Sequence, residues 1–358
     1  MQPIRILLVD DAVVVRRVLT DQLTRDPDLR VIGAAQNGVE GLKKLALRPD
    51  IVILDVEMPE LDGLGALVEI RKREPKLPVV MFSSVTSKAA EATMKALAAG
   101  ANDYVTKPSS QGLSLEQTIP ELIHKIKLYV SAARRRADLA SSTGTTFQQR
   151  KAPRTRPEIV LIGVSTGGPT ALSAVLPQLS PTLRVPVVLV QHMPSALFTE
   201  ALANSLNSLC TLSVKHASAG RALDAGTVWV APGEKHTKVV RAPVGVIAKL
   251  TLDPPLNGTR PAVDALFISA AQVYGPAVLG VVLTGMGQDG LLGAEAIVKA
   301  GGSVIVQDEA TSLIWGMPGA IARAGLASAV VPLSQVAREI NMRVGVAAQE
   351  LRLPSRSG

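Results

Sequence analysis

A single cysteine, Cys210, stands in the 358 residues, so no internal disulfide can form and a disulfide-stapled secreted scaffold is excluded. Aromatic residues make up only 3%, which argues against a base-stacking surface for nucleic acid. No run approaches the roughly 18 uninterrupted apolar residues of a membrane-spanning helix. The opening MQPIRILLVDDAVVV meets Asp10 and Asp11 too early for a secretory leader. A soluble, cytoplasmic protein is expected, with no membrane insertion. Hydrophobic residues at 47% and charged residues at 19% are ordinary globular usage, and the length suits about two domains.

A net charge of +8 raises the question of nucleic acid, and its location answers it. Residues 134–157 hold seven basic side chains (Arg134, Arg135, Arg136, Arg150, Lys151, Arg154 and Arg156) against one acid, Asp138. The blocks on either side are nearly balanced. The excess therefore sits in a connecting segment, and DNA is not expected as a partner.

Two stretches alternate short aliphatic runs with amphipathic ones. In residues 1–130 the strand candidates are 4–9, 30–34, 51–54, 79–82 and 103–105, with helical patterns near 13–25, 38–47, 64–73, 87–99 and 115–133. A second alternation begins at Glu158 and runs through EIVLIGVS, VPVVLVQ, VLGVVL and SVIVQD, with a hairpin pattern in KHTKVVRAPVGVIAKLTL. Both predict α/β domains built on doubly wound parallel sheets, the second with an antiparallel hairpin. Residues 131–157, rich in Ser, Thr, Arg and Pro, read as a flexible basic linker between domains at 1–130 and 158–348. Residues 349–358 form a C-terminal tail.

In the first domain Asp10, Asp11, Asp55, Ser83 and Lys107 all fall at predicted strand ends, which meet on one sheet edge. Three carboxylates crowded together repel unless a cation sits among them, and an all-oxygen site suits Mg²⁺. The lysine opposite offers a partner for phosphate oxygens. Taken singly, each acid also reads as a helix cap or a solvated loop residue. The stretches LLVDD, ILDVEMPELDG and YVTKP, however, resemble the receiver domain of two-component response regulators over residues 1–125. That resemblance implies a flavodoxin-like domain phosphorylated on Asp55 by a histidine kinase. It makes Asp11 a direct metal ligand alongside Asp55, Asp10 a ligand through water, and Glu57 a ligand through its backbone carbonyl. Lys107 would contact the acyl phosphate, Ser83 would supply the hydroxyl that moves toward it, and Tyr104 would be the aromatic group that reports the switch.

In the second domain Gly163-Val-Ser165-Thr-Gly167-Gly168 lies between a strand and a helix and fits the G-x-S-x-G spacing that exposes a nucleophilic serine. Such a turn also begins phosphate sites, and many are purely structural. A reactive serine needs a base. Of the four histidines, His192 alone directly follows a buried-type strand beside the nucleophile strand, whereas His124, His216 and His236 do not. For the group that orients the imidazole, Asp289 in TGMGQDG and Asp308 both follow strands, with Asp224, Asp253 and Asp264 as competitors, and spacing does not choose between Asp289 and Asp308.

The stretches IGVSTGGP, VQHMP, APGEKH and LTGMGQDG resemble the catalytic domain of chemotaxis protein-glutamate methylesterases over residues 158–348. The resemblance implies a Rossmann-like three-layer domain with Ser165 as nucleophile, His192 as general base and Asp289 as its orienter. The backbone amides of Thr166 and Met286 would be oxyanion donors. It further implies a metal-free hydrolysis of glutamate γ-methyl esters on methyl-accepting chemotaxis receptors, deamidation of glutamine at the same site, and an unphosphorylated receiver that covers the active face. A monomer is expected. The chain order Ser, His, Asp differs from that of α/β-hydrolases, so the elbow spacing does not imply that fold. A DNA-binding output domain would show a helix-turn-helix and a basic face. A nucleotide-binding one would show a P-loop Gly-Lys-Ser/Thr ending, which is absent here.

Overall fold

Runs such as IRILLV, IVILD and VVLVQ are apolar at successive positions, the pattern of strands covered on both faces and hence of parallel sheets sandwiched by helices. The computed structural model describes residues 2–108, 115–138, 150, 155–193 and 195–345, and divides into two units, Met1–Thr143 and Gly144–Gly358.

In the first unit β1 (Ile4–Val9), β2 (Leu29–Ala35), β3 (Ile51–Asp55), β4 (Val79–Ser83) and β5 (Asp103–Thr106) form a parallel sheet in the order 2-1-3-4-5, the flavodoxin-like arrangement expected. The crossovers are α1 (Val13–Thr24), α2 (Gly38–Lys44), α3 (Gly63–Arg73) and α4 (Ser87–Ala98), and α5 (Leu115–Asp138) follows the last strand. Polar caps start three of them. The Asn37, Asp62 and Thr86 side chains accept from the N–H groups of Glu40, Gly65 and Ala89. At α2 the Glu40 carboxylate also accepts from Gln36 N–H, a return bond close to the capping-box pattern.

The helix expected at 115–133 runs on to Asp138, so residues 131–138, read from sequence as linker, are its last turns. Alanine and arginine are good helix formers, and no Gly or Pro interrupts the stretch before Gly144. Residues 139–149 and 151–154 of that segment, and the tail 349–358, lie outside the described residues.

The second unit carries seven parallel strands in the order 14-13-12-6-7-9-8: β6 (Ile159–Val164), β7 (Val187–Gln191), β8 (Ser213–His216), β9 (Thr227–Val230), β12 (Val278–Val282), β13 (Ser303–Gln307) and β14 (Ala329–Val331). β10 (His236–Ala242) and β11 (Gly245–Thr251) form the predicted antiparallel hairpin as a separate sheet. It is tied to the body where Val239 N–H donates to Ser269 Oγ at 3.0 Å. The helices are α6 (Gly168–Val175), α7 (Ala196–Leu209), α8 (Val263–Tyr274), α9 (Leu291–Lys299), α10 (Met317–Arg323) and α11 (Leu333–Arg343). The last three elements, α10, β14 and α11, have no counterpart in the sequence patterning. A three-residue strand and a seven-residue helix are too short to show a period.

β6 lies at the centre, with β7 on one side and β12 on the other. The chain therefore winds outward in both directions from β6, and the crevice above its carboxyl end is where such sheets hold their ligands.

Candidate active sites at two sheet edges

β6 delivers Ser165 to that crevice. Ser165 N–H donates to Thr284 O at 3.0 Å, and Gly168 N–H donates back to Ser165 O at 2.8 Å. The tight turn between them needs Gly167 at φ 78°, where a side chain would be strained. α6 then starts with no side-chain cap. The N–H groups of Thr166 and Met286 meet no acceptor among the described residues. Met286 follows Gly285, where a Cβ would lie 2.8 Å from that of Ser165, so this loop passes directly against the serine.

β7 delivers His192 beside it, with His192 N–H donating to Val164 O at 3.1 Å. Gln191 fastens the two strand ends together. Its Nε2 donates to the carbonyls of Ser165 (3.0 Å) and His192 (3.1 Å), while its Oε1 is buried without a partner among the described residues and so close to Gly168 that a side chain there would displace it. His192 Nδ1 lies 3.1 Å from Ser165 Oγ, and His192 Nε2 lies 2.7 Å from Asp289 Oδ2. An ionised carboxylate can only accept, so Nε2 carries the proton and Nδ1 turns its lone pair to the serine hydroxyl.

Asp289 is buried, and six donors converge on it. Oδ2 accepts from His192, from Val263 N–H at 2.6 Å and from Thr259 Oγ1 at 3.5 Å. Oδ1 accepts from Asp264 N–H and Gly290 N–H, each at 3.0 Å, and from Asn257 Nδ2 at 3.3 Å. Burial pushes its carboxyl upward, but the hydrogen bond and charge of His192 and the α8 amides outweigh that and hold it below the usual range.

The other acids stand apart from His192. Asp308 caps a local turn through Thr311, Asp253 pairs with Lys238, and Asp224 is exposed. Asp264 contacts Asp289 rather than the imidazole. His216 meets Thr199 at 2.9 Å, His236 is locked between Pro254 O and Ala262 N–H, and His124 is exposed on α5. Burial pushes the Cys210 thiol up to about 11, so it is no nucleophile at neutral pH.

In the first unit the carboxylates of Asp10, Asp11 and Asp55 each place an oxygen within 4.8 Å of the others at the carboxyl ends of β1 and β3. Lys107 bridges two of them, 2.8 Å from Asp10 and 2.7 Å from Asp55. Burial raises the Asp55 carboxyl to about 6 against the pull of Lys107. Burial alone would lower Lys107, but Asp10 and Asp55 hold it above its ordinary value. Three acids balanced by one ammonium form a donor set that fits a hard divalent cation. Ser83 is fully buried, and its hydroxyl accepts from Thr93 Oγ1 of α4 at 2.8 Å. Tyr104 is buried with Lys125 over its ring at 5.3 Å, and the Glu57 side chain points outward to Lys88 at 3.2 Å.

Sequence reasoning passed over Gln191, Asn257 and the α8 amides. The one available signal was the polar Gln191 at the end of an otherwise apolar strand. The amides carry none, since any residue supplies an N–H.

Residues 160–340 match the model of the CheB methylesterase family, and residues 6–118 that of the response regulator receiver domain. A protein-glutamate methylesterase/protein-glutamine glutaminase of Nocardioides is 48% identical over 96% of each chain, and one of Trichodesmium erythraeum is 46% identical over 96% of this chain and 100% of that one. The crystal structure of the Thermotoga maritima CheB methylesterase catalytic domain is similar with a TM-score of 0.50 at 38% identity, covering 51% of this chain and 97% of that one. With a receiver domain ahead of that catalytic domain, the chain belongs to the CheB methylesterase family.

Proposed function

We propose that this chain is a phosphorylation-activated hydrolase of glutamate γ-methyl esters on chemoreceptors, releasing methanol, and that the same site deamidates glutamine. The observation that carries the reading is the unbroken hydrogen-bonded line from Ser165 through His192 to Asp289 at a sheet switch point.

His192 Nδ1 takes the Ser165 proton as Oγ attacks the ester carbonyl. Asp289 holds the ring by Nε2 and stabilises the imidazolium that forms. The free N–H groups of Thr166 and Met286 receive the oxyanion, help on the order of 10²–10³-fold per donor in such sites. The protonated ring then gives its proton to the departing methoxide. It next draws one from water, which opens the acyl-enzyme and restores Ser165. General acid–base transfer of this kind contributes roughly 10²–10⁴-fold. With a glutamine side chain the leaving group is ammonia and the steps are otherwise the same.

Asp55 is the phosphate acceptor. Asp10, Asp11, Asp55 and the Glu57 carbonyl would hold Mg²⁺, which offsets charge while a phosphoryl group is transferred from a histidine kinase or a small donor. The added phosphate brings about −1.5 to −2 charge beside Lys107. Ser83 is then drawn to the phosphoryl oxygens and must release the Thr93 hydroxyl, which carries the change into α4.

The raised carboxyl of Asp55 sets a pH signature. Its folded pKa of about 6 exceeds the ordinary 3.8, so the folded chain binds more protons between those values. Its contribution to stability therefore falls as pH rises through that window, and the full penalty stands at neutral pH. At ten times its Kd, Mg²⁺ should raise the first unfolding midpoint by about 3–6 °C at pH 7.5. The gain should be smaller at pH 5 and largely absent in Asp11→Asn. Scanning calorimetry reads it, and an equal shift in Asp11→Asn would contradict the metal assignment. The hydrolytic reading is tested by methanol release from methylated receptor membranes.

A further inference from the structure

Behind His192 two buried carboxylates meet. Asp289, in the turn before α9, closes the start of α8 by accepting from Val263 and Asp264 N–H. Asp264, in the first turn of α8, closes the start of α9 in return. Its Oδ1 accepts from Gly290 N–H at 2.9 Å and Gly293 N–H at 2.7 Å. Each helix is thus capped by a carboxylate from the other. No lysine or arginine among the described residues forms an ion pair with either acid. Among the described residues the one side chain hydrogen-bonded to both is Asn257, whose Nδ2 lies 2.9 Å from Asp264 Oδ2 and 3.3 Å from Asp289 Oδ1. Asn257 sits at φ 51°, a left-handed conformation that asparagine tolerates and most residues do not.

We propose that Asn257 and Asp264 are positioning residues of the hydrolytic site. The reciprocal caps fix Asp289 against His192, and the Asn257 amide bridges two like charges that would otherwise part. The proposal rests on the Ser165–His192–Asp289 reading. Asp264 has no catalytic contact of its own; its main chain and side chain lock the turn that carries Asp289. Burial raises its carboxyl to about 6, and the neighbouring charge of Asp289 adds to that rise. The titratable side chain bonded to the pair is His192, just after β7; nearby, His236 of β10 accepts from Ala262 N–H and the Arg260 guanidinium is turned to the Leu252 and Asp253 carbonyls. α9 supplies amides only.

Asn257→Gly removes the bridging amide while keeping a backbone suited to positive φ, and it lies in an exposed loop. In the full chain kcat for methyl-ester hydrolysis should fall about tenfold to a hundredfold, the scale of a small misplacement of reacting groups. KM should stay within about twofold. The acid limb of the kcat profile should move to higher pH, because the ionised carboxylates lose a donor and become easier to protonate. A purely structural role would lower the unfolding midpoint and leave that limb where it was. Asp264→Asn keeps an oxygen for the α9 amides but turns an amide toward Asn257, so it should also lower kcat; with the like charge beside Asp289 gone, its acid limb should move to lower pH instead. Wild-type kcat and an unmoved acid limb in Asn257→Gly, with Ser165→Ala inactive, would overturn the proposal and leave the hydrolytic reading standing. Turnover by Ser165→Ala would instead overturn the reading beneath it.

Discussion

Ser165→Ala should lower kcat for methanol release by ~10⁴-fold or more, with substrate still bound. In the proposed mechanism Ser165 Oγ bonds to the substrate carbonyl, and among the described residues no other nucleophile stands ready. The Cys210 thiol is held protonated by burial, and the one other hydroxyl hydrogen-bonded to a histidine among the described residues, Thr199 against His216, is fully buried and also engaged by Ala196 O and Gly233 N–H. The oxyanion amides and bound water would remain in the variant, so residual turnover should resemble that of other serine hydrolases stripped of their nucleophile. Steady-state assay on methylated receptor membranes measures it. Activity within tenfold of wild type would remove Ser165 from the chemistry.

Asp289→Asn should cost about 10⁴-fold in kcat, by analogy with orienting carboxylates in comparable triads. The six donors that surround this side chain explain why so small a change is severe. An amide must place its NH₂ either against His192 and Val263 N–H or against Asp264 and Gly290 N–H. In the first case the ring shifts its proton to Nδ1, where it can no longer accept from Ser165. In the second the turn before α9 is displaced. The rate of the variant should still follow the protonation of His192, but no pH should restore the wild-type rate, since an amide has no charge to recover. A loss below about tenfold, measured as kcat under saturation, would mean that His192 is oriented by something else.

Much of this was legible in the sequence because strand ends are legible. Apolar runs stop where the sheet stops: Asp55 ends β3, and Asp10, Ser165 and His192 each stand one residue beyond their strands, so in each unit a parallel sheet gathers its own pair on one edge. The choice between Asp289 and Asp308 was not legible. Both follow strands, and what separates them is the path of a loop, which turns Asp289 onto the α8 amides while Asp308 bonds its own neighbours. The extension of α5 into the basic segment was hidden for a different reason. Charged residues carry no apolar period, yet arginine and alanine sustain a helix without one. Asn257 was hidden because its role depends on two carboxylates brought together from distant points in the chain.

The proposed function couples a phosphate on Asp55 to ester hydrolysis at Ser165. It is met most directly by methanol release from methylated receptor membranes, followed with and without a small acyl-phosphate donor and Mg²⁺, for wild type and Asp55→Asn. Donor should speed the wild type and leave Asp55→Asn unresponsive, its basal rate staying at the unstimulated level. An equal response to donor in both proteins would contradict that coupling.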